Sequence, residues 1–126
     1  MSRLLESGEN YLETILVLRE KGISVRSIDI ANEMGFSKPS VSRAVKNLKD
    51  GGFIFVDGNG FISLTDIGEE VARKIYERHE IISAWLIDNK EKEKTALEDA
   101  CRIEHDISVV TFEKLKQHIL SLKNPE

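Results

Sequence analysis

The segment 37–48, with the sequence SKPSVSRAVKNL, limits the possible folds more than any other part of the chain. Val41, Val45 and Leu48 recur at the i, i+4 and i+7 positions, so an α-helix would align them in one narrow apolar stripe that packs on a core. Ser37 can cap the start of this helix, because its side-chain oxygen can accept a hydrogen bond from a backbone N–H group of the first turn. The segment therefore predicts a helix that is anchored along one side only.

The other side of this predicted helix is almost wholly polar, and its first acidic residue is Asp50. Hydroxyl, lysine and arginine donors suit the phosphate oxygens and base edges of DNA. The chain as a whole carries a net charge of −4, so a local basic face indicates specific DNA binding by that face and not general coating of nucleic acid. The residues expected to contact DNA are Ser37, Lys38, Pro39, Ser40, Ser42, Arg43 and Lys46.

A shorter helix is predicted directly before this one. Ser24 is suited to cap it and Gly35 to make the turn that ends it. We expect Ile28, Ala31 and Met34 to face inward. Two short helices joined by a turn that contains glycine form a helix-turn-helix. Such pairs also occur in ordinary helical bundles, so the pair alone leaves both interpretations open.

A β-hairpin is predicted after the two helices. Runs 53–56 and 61–64 are rich in β-prone residues, and the sequence DGNG between them supplies a turn. A hairpin at this place is the wing of a winged helix-turn-helix, which favours DNA binding. Its tip carries Asp57 and no Lys or Arg, so we expect little phosphate contact from it. Together with an amphipathic helix over 4–20, these elements predict a winged helix-turn-helix domain over residues 1–65.

The remaining residues, 66–126, predict a helical domain, so the fold class is mainly α. Thr65 can cap its first helix, which carries His79 at the margin of the apolar stripe, where a lone histidine is more often a packed core residue than a ligand. A helix over 95–105 and a last helix capped by Ser108 follow. These two helices cannot bury both of their apolar stripes against each other, so we expect a homodimer that pairs them across a two-fold axis.

The helix over 95–105 carries three groups that can bind a metal ion. Cys101, Glu104 and His105 bring a thiolate, a carboxylate and an imidazole to one side of one helical turn. A buried cysteine beside two exposed polar residues explains the same spacing equally well. Asn10 and Glu13 are neighbours on the first helix, which by itself is typical of a solvated helix face.

Three stretches closely resemble one known family: DACRIEHDIS at 99–108, RHE at 78–80 and ENYLETI at 9–15. The family is that of the diphtheria toxin repressor and the manganese transport regulator, and the resemblance spans nearly the whole chain. It implies a dimeric winged-helix repressor that binds palindromic double-stranded operator DNA when Fe²⁺ or Mn²⁺ is plentiful and represses metal-uptake genes. It also implies that ligands from three helices surround the metal, which spacing alone would not predict. The implied ligands are Asn10, Glu13, His79, Cys101, Glu104 and His105.

Several positions depart from the family pattern. Asn10 stands where iron-type relatives have methionine and manganese-type relatives have aspartate. Cys101 resembles the iron-type branch, whereas Glu13 resembles the manganese-type branch. Ser83 stands where many relatives have a carboxylate, which argues against a complete second, ancillary metal site of the iron type. Arg43 replaces a glutamine of the family's recognition helix, which should change the base preference. A thiolate combined with imidazole and oxygen ligands suits Fe²⁺ best and Mn²⁺ next.

Composition limits the remaining alternatives. The 126 residues contain one cysteine and no apolar run of membrane-spanning length, so we expect a cytoplasmic protein with no internal disulfide and no membrane partner. For the repressor that the resemblance implies, we expect no organic substrate. Because the sequence ends at Glu126, we also expect a short form without the SH3-like domain of longer relatives. One alternative is a winged-helix regulator that responds to a small organic ligand or to none. Another is an enzyme that uses Cys101 and His105 as nucleophile and base, but the chain lacks a glycine-rich oxyanion loop, so we expect no enzyme.

Overall fold

The structure is a computed structural model that describes residues 6–89 and 92–123, so the first two residues of the predicted helix over 4–20 lie outside it. The chain divides into two compact units, and the division falls within α4, after Lys74. The elements in the described residues are α1 (Glu6–Glu20), α2 (Ser27–Met34), α3 (Lys38–Asp50), β1 (Ile54–Val56), β2 (Ile62–Leu64), α4 (Asp66–Asp88), α5 (Glu93–Asp106) and α6 (Val109–Lys123).

The first unit is built around one apolar core to which α1, α2 and α3 all contribute. Leu12 and Ile15 of α1 are 0% and 1% exposed. Val41, Val45 and Leu48 of α3 are buried in the same core, which confirms the predicted stripe. Since α1 and α3 share this core, a displacement of one helix requires the other to repack.

Helix α2 starts later than the sequence pattern predicts. Its N-cap is Arg26 and not Ser24, and the Arg26 backbone N–H donates a hydrogen bond to Asp29 Oδ2 at 2.8 Å. The prediction that Ile28 faces inward was wrong, because Ile28 is 42% exposed and Ile30 is fully buried. Both isoleucines fit an apolar stripe with helical period, so the period could not choose between them and the packing of the core does.

The two strands form the predicted antiparallel hairpin, with Phe55 opposite Ser63. The side chain of Asp57 holds the turn between them. Its Oδ1 accepts hydrogen bonds from the backbone N–H groups of Asn59 at 2.8 Å and Phe61 at 2.9 Å. The acidic residue at the tip of the wing therefore has a structural role within the hairpin.

Arg26 contacts this hairpin from the other end of the helix-turn-helix. Its guanidinium carbon lies 4.5 Å from the centre of the Phe61 ring, and its Nη2 donates a hydrogen bond to the Asn59 carbonyl. The preceding carbonyl, that of Val25, accepts a hydrogen bond from the Ile62 N–H at 2.8 Å. The hairpin itself has no Lys or Arg, but Arg26 places a cation beside its turn.

An ion-pair cluster on the surface ties α1 to the start of α4. Arg19 Nη2 donates a hydrogen bond to Glu69 Oε2 at 2.8 Å, and Arg73 Nε lies 2.7 Å from the same oxygen. The hydrogen bond from Arg19 is the main cause that lowers the pKa of the Glu69 carboxyl below its usual value. The cluster links the end of α1 to the helix that follows the wing.

The second unit has a separate apolar core, formed by α5, α6 and the part of α4 that follows Lys74. Ile82 and Ala100 are fully buried there, and Phe112 is 3% exposed. Ser108 caps α6 as predicted, since its Oγ accepts a hydrogen bond from the Thr111 N–H at 3.1 Å. No helix within the described residues is both long enough and apolar enough to cross a lipid bilayer.

Gly68, in the first turn of α4, lies against the backbone of Phe53. A Cβ atom at Gly68 would lie 2.0 Å from the Phe53 carbonyl oxygen, so any side chain there forces the backbone to move. We expect Gly68→Ala to lower the free energy of unfolding by roughly 1–3 kcal/mol, the range for overpacking, as measured by urea denaturation. The matched control is Gly58→Ala, where no atom lies within 4 Å of the new Cβ. Equal losses in the two variants would contradict this contact.

The ion pair of Glu69 predicts a pH-dependent contribution to stability. The native carboxyl has a lower pKa than the unfolded one, so its contribution is present above the unfolded pKa and is lost as pH falls through the native pKa. We expect Glu69→Gln to be less stable than wild type at pH 7 and to approach wild type in acid, in urea denaturation at a series of pH values. Glu70→Gln is the control, because Glu70 contacts Lys74 of its own helix at 3.2 Å and should matter less. A stability difference for Glu69→Gln that is constant with pH would argue against the ion pair.

Candidate metal centre and nucleic-acid interface

Helix α5 places Cys101, Glu104 and His105 together near its C-terminal end. One ligand atom from each of the three residues lies within 4.8 Å of the others. The i, i+3 and i+4 spacing puts the three side chains on one side of the helix, as the sequence predicts. A sulfur, an oxygen and a nitrogen donor thus meet at distances that a single ion could span.

Glu104 is a buried carboxylate, with a side chain that is 1% exposed. Its Oε2 is hydrogen-bonded to His79 Nδ1 of α4 at 3.0 Å. Its Oε1 lies 3.5 Å from His105 Nε2, within range of charge interaction, yet among the described residues no group donates a hydrogen bond to this oxygen. Burial of a carboxylate is costly unless a cation or hydrogen-bond donors compensate for the lost water. The orphaned oxygen therefore fits a position next to a metal ion.

The other donors differ in their access to solvent. The His105 side chain is 0% exposed, whereas the His79 side chain is 28% exposed and Cys101 is exposed. The cluster thus has a buried floor and a rim that solvent can reach. A thiolate, a carboxylate and imidazoles form a donor set that suits Fe²⁺ and also binds Zn²⁺, Co²⁺ or Ni²⁺.

The remaining predicted ligands, Asn10 and Glu13, lie on α1 in the first unit and are partly exposed. Their side chains are close on one side of that helix because they are three residues apart. That Asn10 and Glu13 bind the metal stays a prediction. Ser83, one turn after His79, is 7% exposed, and its Oγ donates a hydrogen bond to the Glu80 carbonyl at 3.3 Å. The Ser83 hydroxyl is thus bound within α4.

Arg78, next to His79 on α4, also contacts the end of α5. Its Nη1 donates hydrogen bonds to the carbonyl oxygens of Glu104 at 2.9 Å and Ile107 at 3.0 Å. Sequence reasoning used Arg78 only as part of the RHE stretch and gave it no role. The signal that could have found it is the end of a helix, where carbonyl groups lack helical partners and attract a nearby Arg or Lys.

Helix α3 presents the residues predicted to contact DNA. Ser37 caps the helix as predicted, since its Oγ accepts a hydrogen bond from the Ser40 N–H at 3.3 Å. Arg43 Nη2 donates to Ser40 Oγ at 3.4 Å, and Lys46 lies 3.8 Å from Asp50. Of the seven predicted residues, Ser40 is half-buried and the other six are exposed. This side of α3 is accessible, and the contacts of these residues with DNA stay a prediction.

Two family descriptions match consecutive parts of the chain. Residues 3–61 match the N-terminal DNA binding domain of the iron dependent repressor. Residues 65–125 match the iron dependent repressor metal binding and dimerisation domain. The first match contains the winged helix-turn-helix, and the second contains the cluster around Glu104.

Individual relatives agree with these descriptions. The chain is 33% identical over 113 residues to a helix-turn-helix transcriptional regulator of Methanocaldococcus jannaschii, which covers 88% of this chain and 90% of that protein. It is 32% identical over 110 residues to the iron-dependent repressor IdeR of Mycobacterium tuberculosis, which covers 86% of this chain and 47% of IdeR. The solved structure of the manganese regulator SloR matches with a TM-score of 0.79 and 29% identity, over 89% of this chain and 53% of the SloR chain. The chain thus spans about half the length of IdeR and SloR. Because both family descriptions match and together span residues 3–61 and 65–125, the chain belongs to the iron-dependent repressor family.

Proposed function

We propose that this chain is a metal-dependent repressor that binds operator DNA as a homodimer when Fe²⁺ or Mn²⁺ occupies a site around Glu104. The observation that carries the proposal is the buried Glu104 carboxylate, whose Oε1 accepts no hydrogen bond from the described residues. A bound divalent cation supplies the positive charge that this oxygen lacks. The names of IdeR, an iron-dependent repressor, and SloR, a manganese regulator, support the same function.

The ion is held by side chains of the second unit together with two from α1. Cys101, Glu104 and His105 have the closest donor atoms, and His79 is fixed by its hydrogen bond to Glu104 Oε2. Oxygen ligands from α1 would connect the metal to the helix that shares a core with α3. The proposed ligands are Asn10, Glu13, His79, Cys101, Glu104 and His105.

The nature of the ligands bears on which metal acts in the cell. Thiolate and imidazole ligands favour Fe²⁺ over Mn²⁺, whereas carboxylate and amide oxygens favour Mn²⁺. Cys101 therefore selects toward Fe²⁺, and Glu13 keeps Mn²⁺ as the second choice. The Cys101 thiol must lose its proton to ligate, so metal binding releases protons and strengthens as pH rises.

Helix α3 is the proposed recognition helix. It would enter the major groove with Ser37, Lys38, Pro39, Ser40, Ser42, Arg43 and Lys46 toward the DNA. In a dimer, two such helices must reach half-sites about 34 Å apart, one turn of the duplex, or a multiple of that spacing. A two-fold dimer accordingly requires a palindromic operator.

Exposed apolar side chains on α6 support the homodimer. Val109, Val110 and Leu122 are 59%, 66% and 57% exposed. Large apolar side chains that are exposed at both ends of α6 favour burial against a second copy of the chain. The family description that covers this helix includes dimerisation. We also propose that the protein acts in the cytoplasm, where its DNA target lies.

The proposed site predicts the effect of neutralising Glu104. In wild type, Fe²⁺ or Mn²⁺ should strengthen operator binding by about 5- to 150-fold, the usual size of allosteric coupling. Glu104→Gln keeps the shape of the side chain but removes its charge, so metal should no longer strengthen operator binding, while the metal-free protein stays folded. The measurement is fluorescence anisotropy of labelled operator DNA, without oxygen for Fe²⁺, before and after chelation.

The matched control is Glu98→Gln, an exposed position on the same helix, which should respond to metal like wild type. Operator affinity that is the same with and without metal in wild type would contradict the proposed function. It would favour a winged-helix regulator with another ligand or none.

Arg43 is expected to read bases, and Lys46 to contact phosphates. Arg43→Gln should reduce discrimination between operator variants at one base pair by about 1–3 kcal/mol and leave metal affinity unchanged. Lys46→Gln should weaken binding to all sequences equally and reduce its salt dependence by about one ion. Anisotropy titrations over single-base operator variants and several salt concentrations distinguish the two effects. A uniform loss for Arg43→Gln would make Arg43 a phosphate contact only.

A further inference from the structure

The C-terminal end of α5 carries carbonyl groups that the helix itself cannot satisfy. The last four carbonyls of an α-helix have no N–H partner within the helix. Glu104 belongs to this last turn of α5, and Ile107 follows the helix as its C-cap. Arg78 donates hydrogen bonds from one nitrogen, Nη1, to both carbonyl oxygens, at 2.9 Å and 3.0 Å. A positive charge at the C-terminus of a helix also interacts favourably with the helix dipole.

Arg78 is itself held in place by α6. Its guanidinium carbon lies 5.2 Å from the centre of the Phe112 ring, and Phe112 is 3% exposed. A guanidinium that packs on an aromatic ring and donates from one nitrogen to two carbonyl oxygens has little freedom to change rotamer. Arg78 therefore fixes the end of α5 relative to α4 and α6.

Two consecutive residues of α4 hold Glu104 from opposite ends. Arg78 binds its backbone carbonyl, and His79 Nδ1 binds its carboxylate at 3.0 Å. A shift of the backbone at Glu104 would displace both its own Oε1 and the imidazole of His105, the next residue. Groups that orient metal ligands from outside the coordination sphere commonly change metal affinity 10- to 100-fold.

We propose that Arg78 is a positioning residue for the metal centre, which sets the place of Glu104 and His105 through the backbone of α5. This inference rests on the proposed function, because it requires Glu104 to ligate the ion. Whether replacement of Arg78 weakens or strengthens metal binding tests this proposal. A nearby guanidinium repels a cation through space, so its removal would strengthen metal binding if charge repulsion were its main effect.

The experiment is equilibrium Co²⁺ binding to the full-length chain, followed by the absorption of the bound ion, which reports thiolate ligation and coordination geometry. Arg78→Met removes the hydrogen bonds and keeps an apolar stem on Phe112. Arg78→Lys keeps the charge but lacks the planar fork. The matched control is Lys116→Met, which removes a cation that links α6 to Glu77 of α4 at 2.8 Å and does not bind the end of α5.

We expect Arg78→Met to bind Co²⁺ at least about 10-fold more weakly than wild type, with an altered spectrum. The Co²⁺ affinity of Arg78→Lys should fall between those of wild type and Arg78→Met, and Lys116→Met should bind Co²⁺ as wild type does. Circular dichroism and thermal unfolding of the metal-free proteins establish that each variant is folded. If Arg78→Met does not fold, Arg78→Lys decides the question, since wild-type affinity and spectrum in that variant would overturn the proposal.

Three other results would also overturn it: unchanged binding by Arg78→Met, tighter binding by Arg78→Met, or an equal loss in Lys116→Met. Glu104→Gln in the same titration distinguishes this failure from failure of the metal site. If Glu104→Gln binds as wild type does, the proposed site and the role of Arg78 are both wrong. If Glu104→Gln binds weakly and the Arg78 variants bind normally, only the role of Arg78 is wrong.

Discussion

The buried carboxyl group of Glu104 is the constraint on which the second unit depends. Its carboxylate is 1% exposed, with Oε2 hydrogen-bonded to His79 Nδ1 at 3.0 Å and Oε1 at 3.5 Å from His105 Nε2. Arg78 donates its hydrogen bonds to the backbone carbonyls of Glu104 and Ile107 and not to the carboxylate. Among the described residues Glu104 Oε1 therefore has no hydrogen-bond donor, and a metal ion beside Cys101 and His105 is the partner that its chemistry fits.

The core of the first unit couples α1 to α3, the proposed recognition helix. Helices α1 and α3 do not pack as independent elements, because Leu12, Ile15 and Val41 belong to one closely packed core. A constraint on α1 therefore also limits where the exposed side of α3 can point. Packed cores shift between discrete arrangements and do not deform continuously, so a small change at a metal site can alter the position of a recognition helix.

The sequence predicted the local elements well and the long-range contacts poorly. The cap at Ser37 and the stripe of α3 follow from residues within one helix, so their pattern was enough. Spacing also predicted that Cys101, Glu104 and His105 lie together. The alternative explanation of that spacing, a buried cysteine beside exposed polar residues, does not hold, because Glu104 is buried and Cys101 is exposed. Burial there depends on how α4 packs on α5, which helical period does not encode. The contacts of Arg26 with the wing and of Arg78 with α5 join residues 33 and 26 positions apart, and no local pattern indicates them.

The most direct test of the account is anomalous X-ray diffraction from crystals of the dimer grown with Mn²⁺, or with Fe²⁺ in the absence of oxygen. An anomalous peak bound by Glu104, with His105 and Cys101 among its ligands, is the expected result. An ion bound elsewhere, or no ion at saturating metal while Glu104 Oε1 is paired with a protein donor, would contradict it.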